Sequence, residues 1–292
     1  MTSLNLLRPS TVPEAAAMLA EYGNDARVIS GGTALVPLMH EELLKPAYLV
    51  ALYKVPGLDY ISYEPEVGLR IGALTSLRDV ETSPLVRQHA PVLSYTMGHI
   101  ASVRVRSVAT VGGSLAEANY ASDPHGVLIA LGAKAKAMGT SGKRSIEMRD
   151  FVTGYYETAL QPDEVITELF VPEVSHDTSA TYIKYTTRSQ KERPAVGVAS
   201  LAKLDGVGTC EELKVVVTAA AETPQEIAEA EQLALNEKPS PSLVREIALR
   251  YSQQIEPLED HRASAWYRRQ LIEVLVRRGV QSVLRVEGGH SR

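Results

Sequence analysis

The sequence predicts a chain that mixes short helices and strands over its first part, then forms a small antiparallel sheet closed by helices. Three observations carry that expectation. Short apolar runs alternate with helical stretches up to Pro172. Three β-rich runs follow, Thr181 to Thr187, Ala195 to Leu204 and Glu212 to Ala221, the last two joined by the turn Asp205-Gly206, a hairpin signal. Beyond them the pattern is helical over Pro224 to Leu235, Pro241 to Ser252 and Ala263 to Leu284. The boundary falls near 172–180 and divides residues 1–175 from 176–292.

Within the first part, Pro13 to Tyr22 reads as a helix, with Pro13 near its start and Gly23 where a C-cap falls. Ala26 to Ser30 reads as a buried strand broken by Gly31-Gly32, and Leu35 to Leu44 as a helix ending before Pro46. Tyr48 to Leu52 and Gly68 to Gly72 are strands, the latter alternating at Leu69 and Ile71. Leu85 to His89 and Val92 to Ala101 have helical spacing. A second pair, Gly112-Gly113, precedes a buried helix at Pro124 to Leu131 and strands at Ala133 to Met138 and Glu164 to Val171.

Composition excludes several classes. A 292-residue chain with 45% apolar residues buries a real core. Its net charge of −5 argues against nucleic-acid binding. No run approaches the ~18 apolar residues of a membrane span. Met1 to Pro9 holds one basic residue and no apolar core, so no signal peptide is expected and the cytoplasm is. Cys210 is the only cysteine, which excludes an intrachain disulfide and an iron–sulfur cluster held by this chain alone, since a cluster takes about four thiolates. His40, His89, His99, His125, His176, His261 and His290 show no close metal-binding spacing. Any metal in the reaction is therefore expected on another chain.

Two glycine-pair loops carry the chemistry: Val28-Ile29-Ser30-Gly31-Gly32-Thr33 and Thr110-Val111-Gly112-Gly113-Ser114. Paired glycines let successive backbone amides point into one concavity, a natural anion cradle. Thr33, Thr110 and Ser114 add hydroxyls. A diphosphate suits two such loops closing on it from opposite sides, although a lone Gly-Gly is more often a tight turn. Gly139 to Ser145 imitates a P-loop but has Ala137 and Arg144 where glycine and Ser or Thr belong, so it reads as an exposed hairpin turn. No GxGxxG, GxSxG or assembled acid–base pair appears.

These loops and their flanks resemble the FAD-binding domain of molybdenum hydroxylases of the xanthine dehydrogenase and carbon monoxide dehydrogenase family. The family's A-G-G-T-D-L-L-P is similar to Ser30-Gly31-Gly32-Thr33-Ala34-Leu35-Val36-Pro37. Its I-x-x-x-Q-V-R-N-x-A-T-I-G-G-N-I resembles the run from Ile100 through Val105-Arg106-Ser107 to Ala109-Thr110-Val111-Gly112-Gly113-Ser114-Leu115. Asp123 matches the aspartate that follows. Phe151, Gly154, Thr158, Leu160 and Pro162 to Ile166 resemble the end of that domain, and His261 to Arg269 resembles the family's D-H-R-x-S-x-x-Y-R-R. The agreement runs in order along nearly the whole chain. Departures are Ala34 for an acid, Arg104 for glutamine, Ser107 and Ser114 for asparagines, and Arg193-Pro194 for an acidic–aromatic pair.

The resemblance implies an α+β fold: a two-subdomain FAD-binding domain of the vanillyl-alcohol-oxidase type, then a small antiparallel-sheet-plus-helices C-terminal domain. It implies that Val28, Ile29, Ser30, Gly31, Gly32, Thr33, Ala34 and Leu35, with Thr110, Val111, Gly112, Gly113 and Ser114, cradle the diphosphate of non-covalent FAD. Ile100 would line the cofactor, Asp123 would bond the adenine-side ribose, and Ile166 and Lys184 would lie at the flavin. Without the family, Asp123 reads as an N-cap and Lys184 as a solvated strand lysine. The implied function is electron transfer between iron–sulfur clusters and an external acceptor. Molybdopterin and 2Fe–2S clusters would sit only on partners, a small iron–sulfur subunit and a large molybdenum subunit, in a dimer of heterotrimers. The alternative is a self-contained flavin-dependent oxidase or dehydrogenase, for which the C-terminal domain looks too small. Arg262, Arg268, Arg269, Arg277 and Arg278 beside Trp266 and Tyr267 suggest a docking face, because arginine and aromatics are enriched at interface hot spots.

Overall fold

Local chemistry starts the first helix where the sequence places it. Thr11 is extended and its hydroxyl accepts from the Glu14 amide at 3.2 Å, while Pro13 occupies the first turn of Val12–Tyr22. Ala15, Ala16 and Leu19 bury one face of that helix. The computed structural model describes residues 4–286. Met1 to Ser3, part of the signal-peptide reading, and His290 lie outside the described residues.

The chain forms two compact units that interleave in sequence. The first holds residues 1–89, 102–118 and 132–173, and the second holds 90–101, 119–131 and 174–292. In the first unit, strands Asn5–Leu7, Tyr48–Ala51 and Ala26–Ile29 form a parallel sheet with Tyr48–Ala51 in the middle. A five-stranded antiparallel sheet runs in the order Ile61–Glu64, Gly68–Gly72, Val165–Pro172, Lys134–Gly139, Gly142–Glu147. The Val12–Tyr22 helix joins the two, with Ala15, Leu19, Ala26, Val50, Leu52 and Val165 in one core. Gly139 pairs with Gly142 across Thr140-Ser141, so the P-loop look-alike is the hairpin turn that its departures foretell.

The second unit is built on the antiparallel sheet Thr178–Tyr185, Val196–Leu204, Cys210–Thr218. Period-2 alternation supplies two apolar faces. Val196, Val198, Ala202, Leu213, Val215 and Val217 share a core with helices Pro241–Gln254 and Ala265–Val283. The opposite face, with Tyr182 and Ala199, meets the short helix Asp123–Ala130. Gly126 lets that helix approach, since a Cβ there would lie 2.8 Å from Thr218 Cγ2. Among the described residues no helix is long and apolar enough to cross a membrane.

Three expectations need correction. The helix after the first glycine pair is shorter, Leu35–His40, because Glu42 turns to a φ of 59° and the Leu43 and Leu44 amides fold back onto Leu38 O. Pro224 to Leu235 holds only a four-residue helix, Ala228–Glu231, and one 3₁₀ turn. There Gln225 exchanges two backbone hydrogen bonds with Val217, and Glu231 is held by the Val215 amide and Tyr251. The last β-rich run is a strand that starts before Glu212, at the buried Cys210, and ends at Thr218 rather than Ala221. The strands Asn5–Leu7 and Ile61–Glu64 and the helix Leu77–Thr82 carry too short a pattern to be read from sequence.

Candidate functional site

In the first unit the strand Ala26–Ile29 is followed by Ser30 and delivers the chain into the first glycine pair. Gly32 takes a left-handed φ of 67°, and the Val36 amide then closes on Gly32 O to start the helix. The amides of Gly31, Gly32, Thr33, Ala34 and Leu35 have no acceptor among the described residues. Five successive donors are thus left unspent on a partly exposed loop, an arrangement able to take an anion.

The second glycine pair differs. Every amide from Val111 to Ser114 is already used: Val111 donates to Thr75 O, Gly112 to Ala73 O, Gly113 to Thr110 Oγ1 and Ser114 to Thr110 O. The expectation of a second amide cradle is therefore wrong. These bonds instead pin the short helix Val111–Ala116 to the sheet, since Ala73 also donates to Thr167 O, next to Ile166. Gly112 permits this contact, because a Cβ there would lie 2.8 Å from Ala73 Cβ. Gly113 does not adopt a positive φ; what it provides is bare, exposed surface.

The two loops touch. Ser30 Oγ and Thr110 Oγ1 are 2.8 Å apart. Gly31 lies against the second loop so closely that a Cβ would fall 2.1 Å from Val108 O. Val28 packs against the core of Ala15, Leu19 and Val50, Ile29 lies beside Gly32, Leu35 is partly buried and Ile166 is buried. Thr33 is exposed and Ser114 partly so. Nearby, the Glu81 carboxylate takes Arg106 at 2.9 Å and Arg78 at 2.8 Å, fixing the turn that leads into the second loop.

Ile100, Asp123 and Lys184 come together in the second unit. Asp123 is the first residue of its helix and Ser122 the cap position, so the N-cap alternative fails. Its carboxylate instead accepts Tyr182 Oη at 2.7 Å and Lys184 Nζ at 3.1 Å. Lys184 is no solvated strand lysine: its ammonium also donates to His99 O at 2.8 Å and Glu192 O at 3.0 Å. It thereby holds the turn at Ile100 and the loop that carries Arg193-Pro194. Burial pushes the Asp123 carboxyl above the ordinary carboxylate range, while Lys184 and Tyr182 pull it back. Burial beside that carboxyl raises the Tyr182 phenol well above its usual value. Tyr182→Phe is expected to lower stability by about 1.5–3 kcal/mol, the worth of a hydrogen bond to a charged group. Urea unfolding followed by circular dichroism measures it, and an unchanged midpoint would show that the phenol contributes nothing.

The chain matches two families in succession. Residues 2–174 match the family described as "FAD binding domain in molybdopterin dehydrogenase". The chain belongs to that family. Residues 181–283 match "CO dehydrogenase flavoprotein C-terminal domain". It is 31% identical to the 6-hydroxypseudooxynicotine dehydrogenase complex subunit alpha of Paenarthrobacter nicotinovorans, over 97% of this chain and 95% of that one. It is likewise 31% identical to the glyceraldehyde dehydrogenase medium chain of Sulfolobus acidocaldarius, over 95% and 97% respectively. Its fold superposes on carbon monoxide dehydrogenase from Hydrogenophaga pseudoflava with a TM-score of 0.92, at 29% identity, covering 96% of this chain and 97% of that one. The α+β fold of an FAD-binding domain followed by a C-terminal domain is thus the observed one.

The C-terminal motif of this family has a structural reading here. Arg268 is fully buried and donates to Ala195 O, Leu258 O and Ala263 O and to the Asp260 carboxylate. Arg262 pairs with the same Asp260, and Arg269 donates to Ser252 O. Ser264 caps the helix by accepting from Tyr267 N. A docking face made of Arg262, Arg268 and Arg269 is therefore overturned: these arginines point inward or are spent. Trp266, 71% exposed, and Tyr267 stay on the surface, as do Arg277 and Arg278 further along the helix.

Proposed function

We propose that this chain is the FAD-carrying electron-transfer subunit of a multi-subunit molybdenum hydroxylase, working in the cytoplasm. The observation that carries the reading is the row of unspent amides from Gly31 to Leu35 beside the exposed surface of Gly113. Residues 28–35 hold the diphosphate, with residues 110–114 as the rigid wall against which it seats. Ile166 lies at the flavin. Ile100, Asp123 and Lys184 are assigned to the cofactor on the sequence resemblance, with Lys184 acting in part by holding the turn at Ile100. The FAD-binding module is proposed to span 1–175 and the C-terminal domain 176–292.

FAD bound there lets electrons that arrive singly leave as a pair. The chain's own residues bind and orient it, and no acid–base pair for substrate chemistry is needed. Electrons enter from 2Fe–2S clusters on a small subunit, after substrate oxidation at molybdopterin on a large subunit, in a dimer of heterotrimers. The single buried Cys210 fits that division of labour, because the clusters need thiolates this chain does not have.

The isolated chain is expected to bind FAD without a covalent link, so acid precipitation should release all yellow colour to the supernatant. Flavin fluorescence retained on the denatured chain would contradict this. The FAD-loaded chain alone should show no substrate-dependent flavin reduction, which should appear when the two partner subunits are restored. Turnover of an organic substrate by the isolated, metal-free chain would replace this reading with a self-contained flavin oxidase or dehydrogenase.

A further inference from the structure

The two glycine loops offer a diphosphate unequal chemistry. The first has five free amides, whereas the second has spent the four from Val111 to Ser114 inside the protein. What the second loop retains is a hydroxyl contact. Gly113 N donates to Thr110 Oγ1 at 3.2 Å, and Thr110 Oγ1 lies 2.8 Å from Ser30 Oγ. An oxygen that accepts a hydrogen bond becomes a better donor. Either hydroxyl can donate in the Ser30–Thr110 contact, and the bond from the Gly113 amide favours the direction in which Thr110 donates to Ser30. In that direction one proton is left over, on Ser30 Oγ. A Cβ on Gly113 would fall 2.9 Å from that oxygen. Ser30 Oγ thus borders the bare surface of an exposed glycine, where an anion has room to approach.

We propose that the Ser30 hydroxyl is the donor through which the second loop reaches the diphosphate, fed by Gly113 through Thr110. The inference rests on the cofactor reading above. It concerns this chain in particular, because the family pattern quoted earlier has alanine where Ser30 stands. The relay also ties the two loops together, so that the wall and the amide row stay in register while the cofactor is bound. Its charge-assisted end is strongest toward phosphate and has no role toward the neutral rings.

FAD titration of the full-length chain, followed by flavin fluorescence quenching, tests it. Ser30→Ala should weaken binding about tenfold, the order expected for one hydrogen bond to a charged group, with the apo chain still folded by circular dichroism. Thr110→Ser keeps the hydroxyl and should bind much more tightly than Thr110→Val. Thr110→Val breaks the relay, and adding Ser30→Ala to that variant should weaken binding no further. Ser30→Ala binding FAD as tightly as wild type, or losses that add in the double variant, would overturn the relay while leaving the cofactor reading in place. A wild-type chain that bound no FAD would sink both.

Discussion

Gly31→Ala is expected to empty the chain of FAD while leaving most of its secondary structure in place. A Cβ at residue 31 would fall 2.1 Å from Val108 O and 2.8 Å from Val108 C, far inside the roughly 3.5–4.0 Å of a comfortable carbon contact. Both atoms are backbone, so no side chain can swing away and the loops must part. Parting them breaks the Ser30–Thr110 bond of 2.8 Å and moves the amide row off its wall. Overpacking of this kind costs about 1–3 kcal/mol, less than the roughly 5–15 kcal/mol by which a folded chain is stable. The loss of cofactor should be complete because the cradle, not a single contact, is displaced. Flavin absorbance per folded chain, with folding followed by circular dichroism, gives the result. A folded Gly31→Ala chain with a full complement of FAD would show that the approach of the two loops is unrelated to binding. Gly113→Val tests the other wall: its side chain would crowd Ser30 Oγ at 2.9 Å and Thr110 Oγ1 at 3.0 Å and fill the exposed surface.

Which parts of this structure the sequence reveals follows from how local the determinants are. The helix Val12–Tyr22 announces itself through Pro13 and Gly23, both within one turn of its ends. The sheet of the second unit is legible because Val196–Leu204 and Cys210–Thr218 are β-rich and joined by a turn with Asp205 at its head. The region Pro224 to Leu235 is misread because its helical composition loses to tertiary partners: Val217 captures Gln225, and Tyr251 with the Val215 amide captures Glu231. The interleaving of the units is invisible for the same reason. Nothing local says that residues 90–101 and 119–131 cluster with a sheet that begins at Thr178.

The site divides in the same way. Both glycine pairs are legible as loops, but whether their amides are free depends on Thr75 and Ala73, residues remote in sequence that take the second set. Asp123 and Lys184 are legible only through the family pattern. Their mutual ion pair and its Tyr182 partner come from the register of Thr178–Tyr185 against Val196–Leu204 and the helix packed on that face.

The second large effect is expected at Arg268. The basic C-terminal motif reads from sequence as a docking surface, yet Arg268 has no exposed surface. Its Nε donates to Ala195 O at 3.0 Å, Nη1 to Leu258 O at 2.7 Å and Ala263 O at 2.9 Å, and Nη2 to Asp260 Oδ1 at 2.6 Å. A planar guanidinium satisfies four acceptors in these directions at once, which a lysine ammonium does not. Asp260 in turn accepts Tyr120 Oη at 2.7 Å and the Arg262 amide at 2.8 Å. Burial alone would raise the Asp260 carboxyl. Hydrogen bonds from Tyr120, the Arg262 amide and Arg268 more than offset it and hold the carboxyl well below the usual range. Arg268→Ala leaves that carboxylate and three carbonyls without their shared partner, and breaking a buried pair in this way costs about 3–5 kcal/mol. At roughly 2–4 °C per kcal/mol for a chain of this size, the melting temperature should fall by about 10 °C. Arg268→Lys should recover only part of it. Because the folded pKa of Asp260 is depressed, its contribution is present above the unfolded value of about 3.9 and is lost as pH falls through the folded one. The gap in stability between wild type and Arg268→Ala should therefore be widest near neutral pH and narrow on acidification below about pH 4. Urea unfolding at pH 7 and at pH 3 measures both quantities. An Arg268→Ala chain as stable as wild type at neutral pH would return Arg268 to the surface role that its sequence neighbours suggest.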